Sequence, residues 1–295
     1  MEAFAAIAGE IAALSGVPCA PAPGERVGGG SINTCYRWPA GDGALFVKVG
    51  PRAAHAAFAA EAAGLLELGA ARALRVPQVR SCGHTDAAAF LALEWIEAAR
   101  ADRACEHRLG EGLAAQHAVT AVRFGWQRDN TIGRTPQPNG WIDGWTEFFR
   151  ERRLRPQLAL AVENGLAAQL AASGERLLES LPALLAGHHP AASLLHGDLW
   201  GGNWLATASG EPVIFDPAVY YGDRETDLAM TRLFGGFGEA FYCAYEAKWP
   251  PAPGAEVRAE LYNLYHVLNH ANLFGGGYAQ QARAIMQRLL AEVGA

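Results

Sequence analysis

The chain has 295 residues, is 51% hydrophobic and 18% charged, and carries a formal net charge of −6. That balance excludes a disordered chain, and an acidic surface without a lysine- or arginine-rich block excludes a general nucleic-acid binder. The length suits one large or two modest domains, and no apolar run reaches the ~18 residues of a membrane span.

In chain order, the first stretch, MEAFAAIAGEIAALSG, sets Phe4, Ile7, Ile11 and Leu14 on one helical face and lacks a basic segment. It is expected to be an amphipathic helix and not a signal peptide. Pro18 to Pro23 is a connector. Three strands follow: one ending in Gly28-Gly29-Gly30, one through Cys35–Trp38, and one over Leu45–Val49, turned by Gly41-Asp42-Gly43. Arg52–Gly69 reads as an Ala-rich helix closed by its glycine. Val76–Val79 and Phe90–Ile96 complete a five-stranded sheet.

Beyond Arg103 the pattern is helical. Helices are expected over Cys105–Val119, Ile142–Arg152, Gln157–Ser180, Asp223–Phe234, Gly238–Ala247, Glu256–Leu273 and Tyr278–Val293. The class is therefore α+β, with residues 1–97 as a sheet-bearing unit and 98–295 as a mainly helical one. Between the first two of these helices, FGWQRDNTIGRTPQPNGW is long for an irregular connection; Trp126 and Trp141 mark it as a packed, functional loop. The five cysteines (Cys19, Cys35, Cys82, Cys105 and Cys243) form no C-x-x-C pair, which points to a reducing cytoplasm and gives no zinc site.

Chemistry concentrates around LLHGDLWGGNW (194–204) and VIFDPAVYYGD (213–223). Two apolar runs each deliver an acid to a loop, with an asparagine five places after the first. This is the layout of a phosphoryl-transfer site: Asp198 takes the proton of an attacking hydroxyl, and Asn203 and Asp216 hold Mg²⁺. Upstream, Gly28-Gly29-Gly30-Ser31 offers main-chain N–H groups to phosphates, or is a plain hairpin turn. Lys48 interrupts an apolar strand, so it snorkels outward or faces a standing anion. Glu61 is the acid placed to pair with it. The backbone near Glu94 and Ile96 would meet the adenine edge of ATP, unless this is an ordinary edge strand.

With these residues in this order, the chain resembles the fructosamine kinase (ketosamine-3-kinase) family, on the protein-kinase-like fold shared with aminoglycoside phosphotransferases. The resemblance rests on Gly28 to Ile32, NTIGRTPQPN (130–139), HGDLWGGNW (196–204), and DPAVYYGDRETDLAM followed by Phe234-Gly235-Gly236-Phe237. It runs from about residue 4 to the C-terminal helix. It implies a bilobal fold with a five-stranded antiparallel sheet in the N-terminal lobe. It also implies ATP-dependent phosphorylation of the 3-hydroxyl of a sugar joined to an amine as a ketoamine, whose unstable phosphate is lost with the sugar.

By position, the resemblance makes Asp198 the general base, Asn203 and Asp216 the Mg²⁺ ligands, and Lys48–Glu61 the ion pair beside the phosphates. His196 and Asp227 are structural supports. Trp200 is a stacking platform for the sugar or packs under the catalytic loop. Asp223 and Glu225 read the cationic amine of the substrate or cap a helix. Ser31 stands where many relatives carry a cysteine, so no redox-sensitive disulfide is expected there. A kinase for aminoglycosides or small amino alcohols, and a non-catalytic nucleotide-binding pseudokinase, are the alternatives; monomer and homodimer both stay open.

Overall fold

A computed structural model describes residues 2–28 and 34–294. Gly29, Gly30 and Ser31 lie outside the described residues. The chain begins with α1 (Glu2–Ser15), followed by β1 (Glu25–Val27), β2 (Thr34–Ala40), β3 (Gly43–Pro51), α2 (His55–Ala71), β4 (Val79–His84) and β5 (Ala88–Glu94). The five strands form one antiparallel sheet in the order β1-β2-β3-β5-β4. Helices cover both faces, which is why β5 reads as a continuous apolar run. Phe90 and Ala92 join Ile7 and Ile11 of α1, while Ala89, Leu91 and Leu93 join Phe58 and Leu65 of α2. The same alternation turns Leu45 and Val47 of β3 toward α1 and leaves Phe46 and Lys48 on the α2 side.

The second lobe opens with α3 (Arg103–His117), whose first turn is capped by Asp102 accepting from the Cys105 N–H at 2.7 Å. Then come β6 (Thr120–Ala121), β7 (Asn130–Ile132), β8 (Thr135–Gln137) and α4 (Trp145–Phe149), which passes through a π turn (Arg150–Leu154) into α5 (Arg155–Glu163). After α6 (Ala167–Leu184) follow β9 (Ala192–Leu195), β10 (Trp204–Ala206), β11 (Pro212–Ile214) and β12 (Tyr220–Gly222). Four helices end the chain: α7 (Glu225–Leu233), α8 (Glu239–Glu246), α9 (Ala255–Phe274) and α10 (Tyr278–Glu292). Strand β9 is the middle of the antiparallel set β12-β9-β6, and β7–β8 and β10–β11 are hairpins. Helix α9 fills the core with Leu261, Leu264, Val267 and Leu268. Helix α3 lies so close to α8 that a Cβ on Gly110 would overlap the Phe241 carbonyl.

Several expected elements shift. The helix expected over Gln157–Ser180 is two: Asn164 ends α5, and Gly165, at φ +81°, turns the chain before α6. Strand β4 runs Val79–His84, because the ladder to β5 starts only after Pro77. Strand β5 stops at Glu94, so Ile96 lies in the connector between lobes. Arg75 staples that connector, reaching Glu94 at 2.6 Å and Glu211 at 2.7 Å, and Ala99 N–H donates to Ala206 O at 2.7 Å. Among the described residues no helix is long and apolar enough to cross a membrane.

Candidate active site

All four residues of β9 are buried, so the strand delivers His196 to the end of its sheet at a fixed height. His196 then organises the turn. Its backbone N–H donates to Asp227 Oδ2 at 2.8 Å, and the Gly197 N–H donates to Asp227 Oδ1 at 2.9 Å. The His196 ring accepts from the Asp198 N–H through Nδ1 at 3.3 Å and meets the Phe215 carbonyl through Nε2 at 2.9 Å. That pattern needs a neutral ring carrying its proton on Nε2, and burial does lower its pKa. Gly197 sits at φ +82°, where a Cβ would overlap Ala218 O; only glycine lets the two loops cross.

Beyond this crossing Asp198 enters a cleft of about 1010 Å³ between the lobes. Asn203 Nδ2 donates to the Asp198 carbonyl at 2.8 Å and to its carboxylate at 3.2 Å. The amide nitrogen is thereby committed, and Oδ1 is the oxygen left to meet a ligand. Hairpin β10–β11 returns the chain to the same place, with Phe215 N–H on Asn203 O at 3.0 Å. Asp216 follows at φ +56°, a left-handed conformation that Asp tolerates better than most residues. Burial and the charge of Asp216 push the Asp198 carboxyl well above its usual range, against the opposing Asn203 bond.

Lys48 is buried and does not snorkel. Its Nζ lies 2.5 Å from Asp216 Oδ1 and 2.8 Å from Glu61 Oε1. Burial works against the ammonium, but the two carboxylates outweigh it and raise its pKa. Burial also raises Glu61, with Asp216 adding to the shift and Lys48 opposing it. One cation between two acids leaves the trio net negative, which suits a site built to receive a further cation.

The cleft wall also carries Gly28, Glu94, Ile96, Trp200, Asn203, Thr131 and Arg134. The Glu94 side chain is consumed by Arg75 and by the Gln78 N–H, so any adenine contact there is a main-chain one. Trp200 is 39% exposed and its ring covers Gly202, where any Cβ would collide with it.

A family model described as fructosamine kinase matches residues 3–292. The chain is 45% identical to a probable ketoamine kinase from Synechocystis over 285 residues, 96% of each chain. The chain belongs to the fructosamine kinase family. It is 40% identical to the chloroplastic protein-ribulosamine 3-kinase of Arabidopsis thaliana, covering 90% of this chain and 81% of that one. A solved structure from Thermobifida fusca assigned as a fructosamine-3-kinase superposes with TM-score 0.85 at 34% identity, over 97% of this chain and 99% of that one. The aminoglycoside phosphotransferase APH(4)-Ia, at 17% identity, TM-score 0.59 and coverage of 92% and 94%, shares the fold. The fold is thus the bilobal kinase-like one, and the chain is a phosphotransferase.

Two of the residues expected in the site do not line the cleft. Asp223 is buried, accepting from Tyr262 OH and pairing with His188 Nε2, each at 2.6 Å, and from the Glu225 N–H at 3.0 Å. Glu225 is held by Arg258 in a two-pronged pair at 2.6 and 2.9 Å. Neither lines the cleft, so the amine-reading role expected of them gives way to a structural one. His188, Asp223 and Glu225 could converge on a metal, but their atoms are already spent on one another, Tyr262 and Arg258.

Sequence reasoning passed over His117, which bonds Tyr245 OH through Nδ1 at 2.8 Å and Asp227 through Nε2 at 3.2 Å. It also missed the partners inside the 124–141 segment. Gln137 and Asn139, both within NTIGRTPQPN, are fully buried there, and Arg153 of the π turn, equally buried, donates to Asn139 Oδ1 at 2.7 Å; the motif marks the first two residues but not their partners.

Proposed function

We propose that this chain transfers the γ-phosphoryl group of ATP to the 3-hydroxyl of ketosamines, ribulosamines foremost and fructosamines second, on small amines or protein lysines, so that the amine is deglycated. The observation that carries the reading is the convergence of Asp198, Asn203, Asp216, Lys48 and Glu61 on one cleft in a chain of this family. Residues 1–97 then serve as the nucleotide lobe and 98–295 as the catalytic and substrate lobe.

Asp198 accepts the hydroxyl proton as the sugar oxygen bonds to phosphorus and the bond to the β-phosphate oxygen breaks, releasing ADP. A carboxyl held above its usual pKa is a stronger base than a surface aspartate. Lys48, oriented by Glu61, turns to the α- and β-phosphates. Asn203 Oδ1 and the Asp216 carboxylate are hard oxygen donors, so they fit Mg²⁺. Held by Asn203 and Asp216, the ion would supply positive charge to offset what builds on the transferring phosphoryl group. Trp200 offers its exposed face to the sugar.

An ATP-consumption screen tests the assignment, comparing ribulosyl-, erythrulosyl- and fructosyl-amines with kanamycin and choline, with and without EDTA. Turnover should be confined to the ketoamines and vanish in EDTA. Preference for kanamycin or choline would move the protein to a neighbouring specificity, and metal-free turnover would contradict the ligand set.

A further inference from the structure

Hairpin β7–β8 is held by a chain of buried hydrogen bonds that phosphoryl transfer does not itself use. Asn130 Nδ2 donates to Val219 O at 2.9 Å, and Gln137 Nε2 donates to Ala218 O at 3.0 Å and to Asn130 Oδ1 at 2.8 Å. Asn139 Nδ2 donates to the same Asn130 oxygen at 2.8 Å, and Arg153 Nη2 donates to Asn139 Oδ1 at 2.7 Å. Tyr265 OH closes the far side on Gln137 Oε1 at 2.7 Å.

The two carbonyls that receive these bonds follow Asp216 by two and three positions. Ala218 is also where the loops cross: its N–H donates to His196 O at 2.9 Å, and its oxygen faces Gly197. One residue therefore takes Gln137 on one side and the catalytic loop on the other. Helix α2 leans on the same segment. A Cβ on Gly64 would lie 3.1 Å from Val219 Cγ2, Tyr221 OH donates to Glu67 at 2.7 Å, and β7 itself packs on α2. Glu61 lies one turn before Gly64, on the same helical face.

We propose that hairpin β7–β8 is a strap fixing the metal loop against α2, with Gln137 and Asn130 as positioning residues for Asp216 and, through α2, for the Lys48–Glu61 pair. A ligand on a loop is useful only if a second layer of bonds holds its backbone. Here that layer comes from a separate hairpin which also touches the helix carrying Glu61.

The inference rests on the reading of Asp216 as a metal ligand, so Asp216→Asn is measured beside Gln137→Ala. Four quantities are read: kcat per folded enzyme, the Mg²⁺ concentration giving half activity, hydrogen exchange of amides 218–222 in protein free of metal and nucleotide, and Tm. Removing second-layer support typically costs roughly 10–100-fold in metal affinity or activity. Gln137→Ala should show that loss in kcat, a rise in half-saturating Mg²⁺ and faster exchange confined to 218–222 and the adjoining turn of α2. Tyr265→Phe, which removes the outer bond to Gln137, should move all three in the same direction by less; it carries the test if Gln137→Ala does not fold. Folded variants that lower Tm alone, with kcat and Mg²⁺ response within twofold of wild type, would overturn the strap while an inactive Asp216→Asn left the metal reading standing. An active Asp216→Asn would sink that reading whatever Gln137→Ala did.

Discussion

His196 Nε2 lies 2.9 Å from the carbonyl oxygen of Phe215. The histidine two places before Asp198 is thus bonded to the residue immediately before Asp216. Together with Asp227, which accepts the His196 and Gly197 N–H groups, this bond sets the separation of Asp198 and Asp216 by backbone geometry. A neutral, buried imidazole suits that work because it donates on one side and accepts on the other.

The crossing beneath that bond admits no side chain. Gly197→Ala places a methyl group at φ +82° against Ala218 O. The conformation alone costs about 1–2 kcal/mol, and the backbone must also move. A fall in kcat of at least tenfold with a lowered Tm is expected. Wild-type kcat in a folded Gly197→Ala enzyme would show that the two loops need not cross as described.

Glu225 and Arg258 form a buried pair away from the cleft. Removing one partner of such a pair destabilises by about 3–5 kcal/mol. Glu225→Gln should therefore lower Tm markedly and leave KM for the ketoamine unchanged. A raised KM at constant Tm would return Glu225 to the substrate.

His266 is buried with Nδ1 unpartnered among the described residues. Burial, helped by His270, lowers its pKa to about 3. The unfolded ring has a pKa of about 6.5, so between about pH 6.5 and 3 the unfolded state binds the extra proton. His266 is neutral in both states above that window and destabilises the fold progressively as the pH falls through it. Thermal melts of wild type and His266→Leu should shift in favour of the variant between pH 7 and pH 5. A pH-independent Tm difference would remove His266 from acid unfolding.

The thiols give a different prediction. Burial pushes the Cys35 and Cys82 thiols up to about 11, while Cys243 is exposed. Maleimide at neutral pH should label Cys243 first, and Cys243→Ser should remove the fast phase. Fast labelling that depends on Cys35 would mean that the cleft opens to expose β2.

Much of the site was legible because it is local. Spacing places Asp198 and Asn203 on one loop, and strand alternation places Lys48 opposite α2. Helix and strand types followed for the same reason, since burial on two faces writes itself into β3 and β5. Long-range pairing was not legible. Asp223 and Glu225 are acids soon after Asp216 in sequence, yet Tyr262, His188 and Arg258 draw them into the core from 33 to 39 positions away. His117 reaches Asp227 across 110 positions, a distance at which no local pattern carries information. The break at Gly165 was missed because apolar periodicity continues on both sides of it.

The central claim is that Asp198 deprotonates a ketoamine sugar. The most direct measurement is kcat/KM for ribulosyl-lysine and for free ribulose, in wild type and in Asp198→Asn. Wild type should favour the ketoamine clearly over the free sugar, and the variant should lose roughly 10²–10⁴-fold in kcat, as expected for a missing general base, with KM for ATP and Tm unchanged. Equal kcat/KM for the two substrates, or a variant retaining more than about a third of wild-type kcat, would contradict the account.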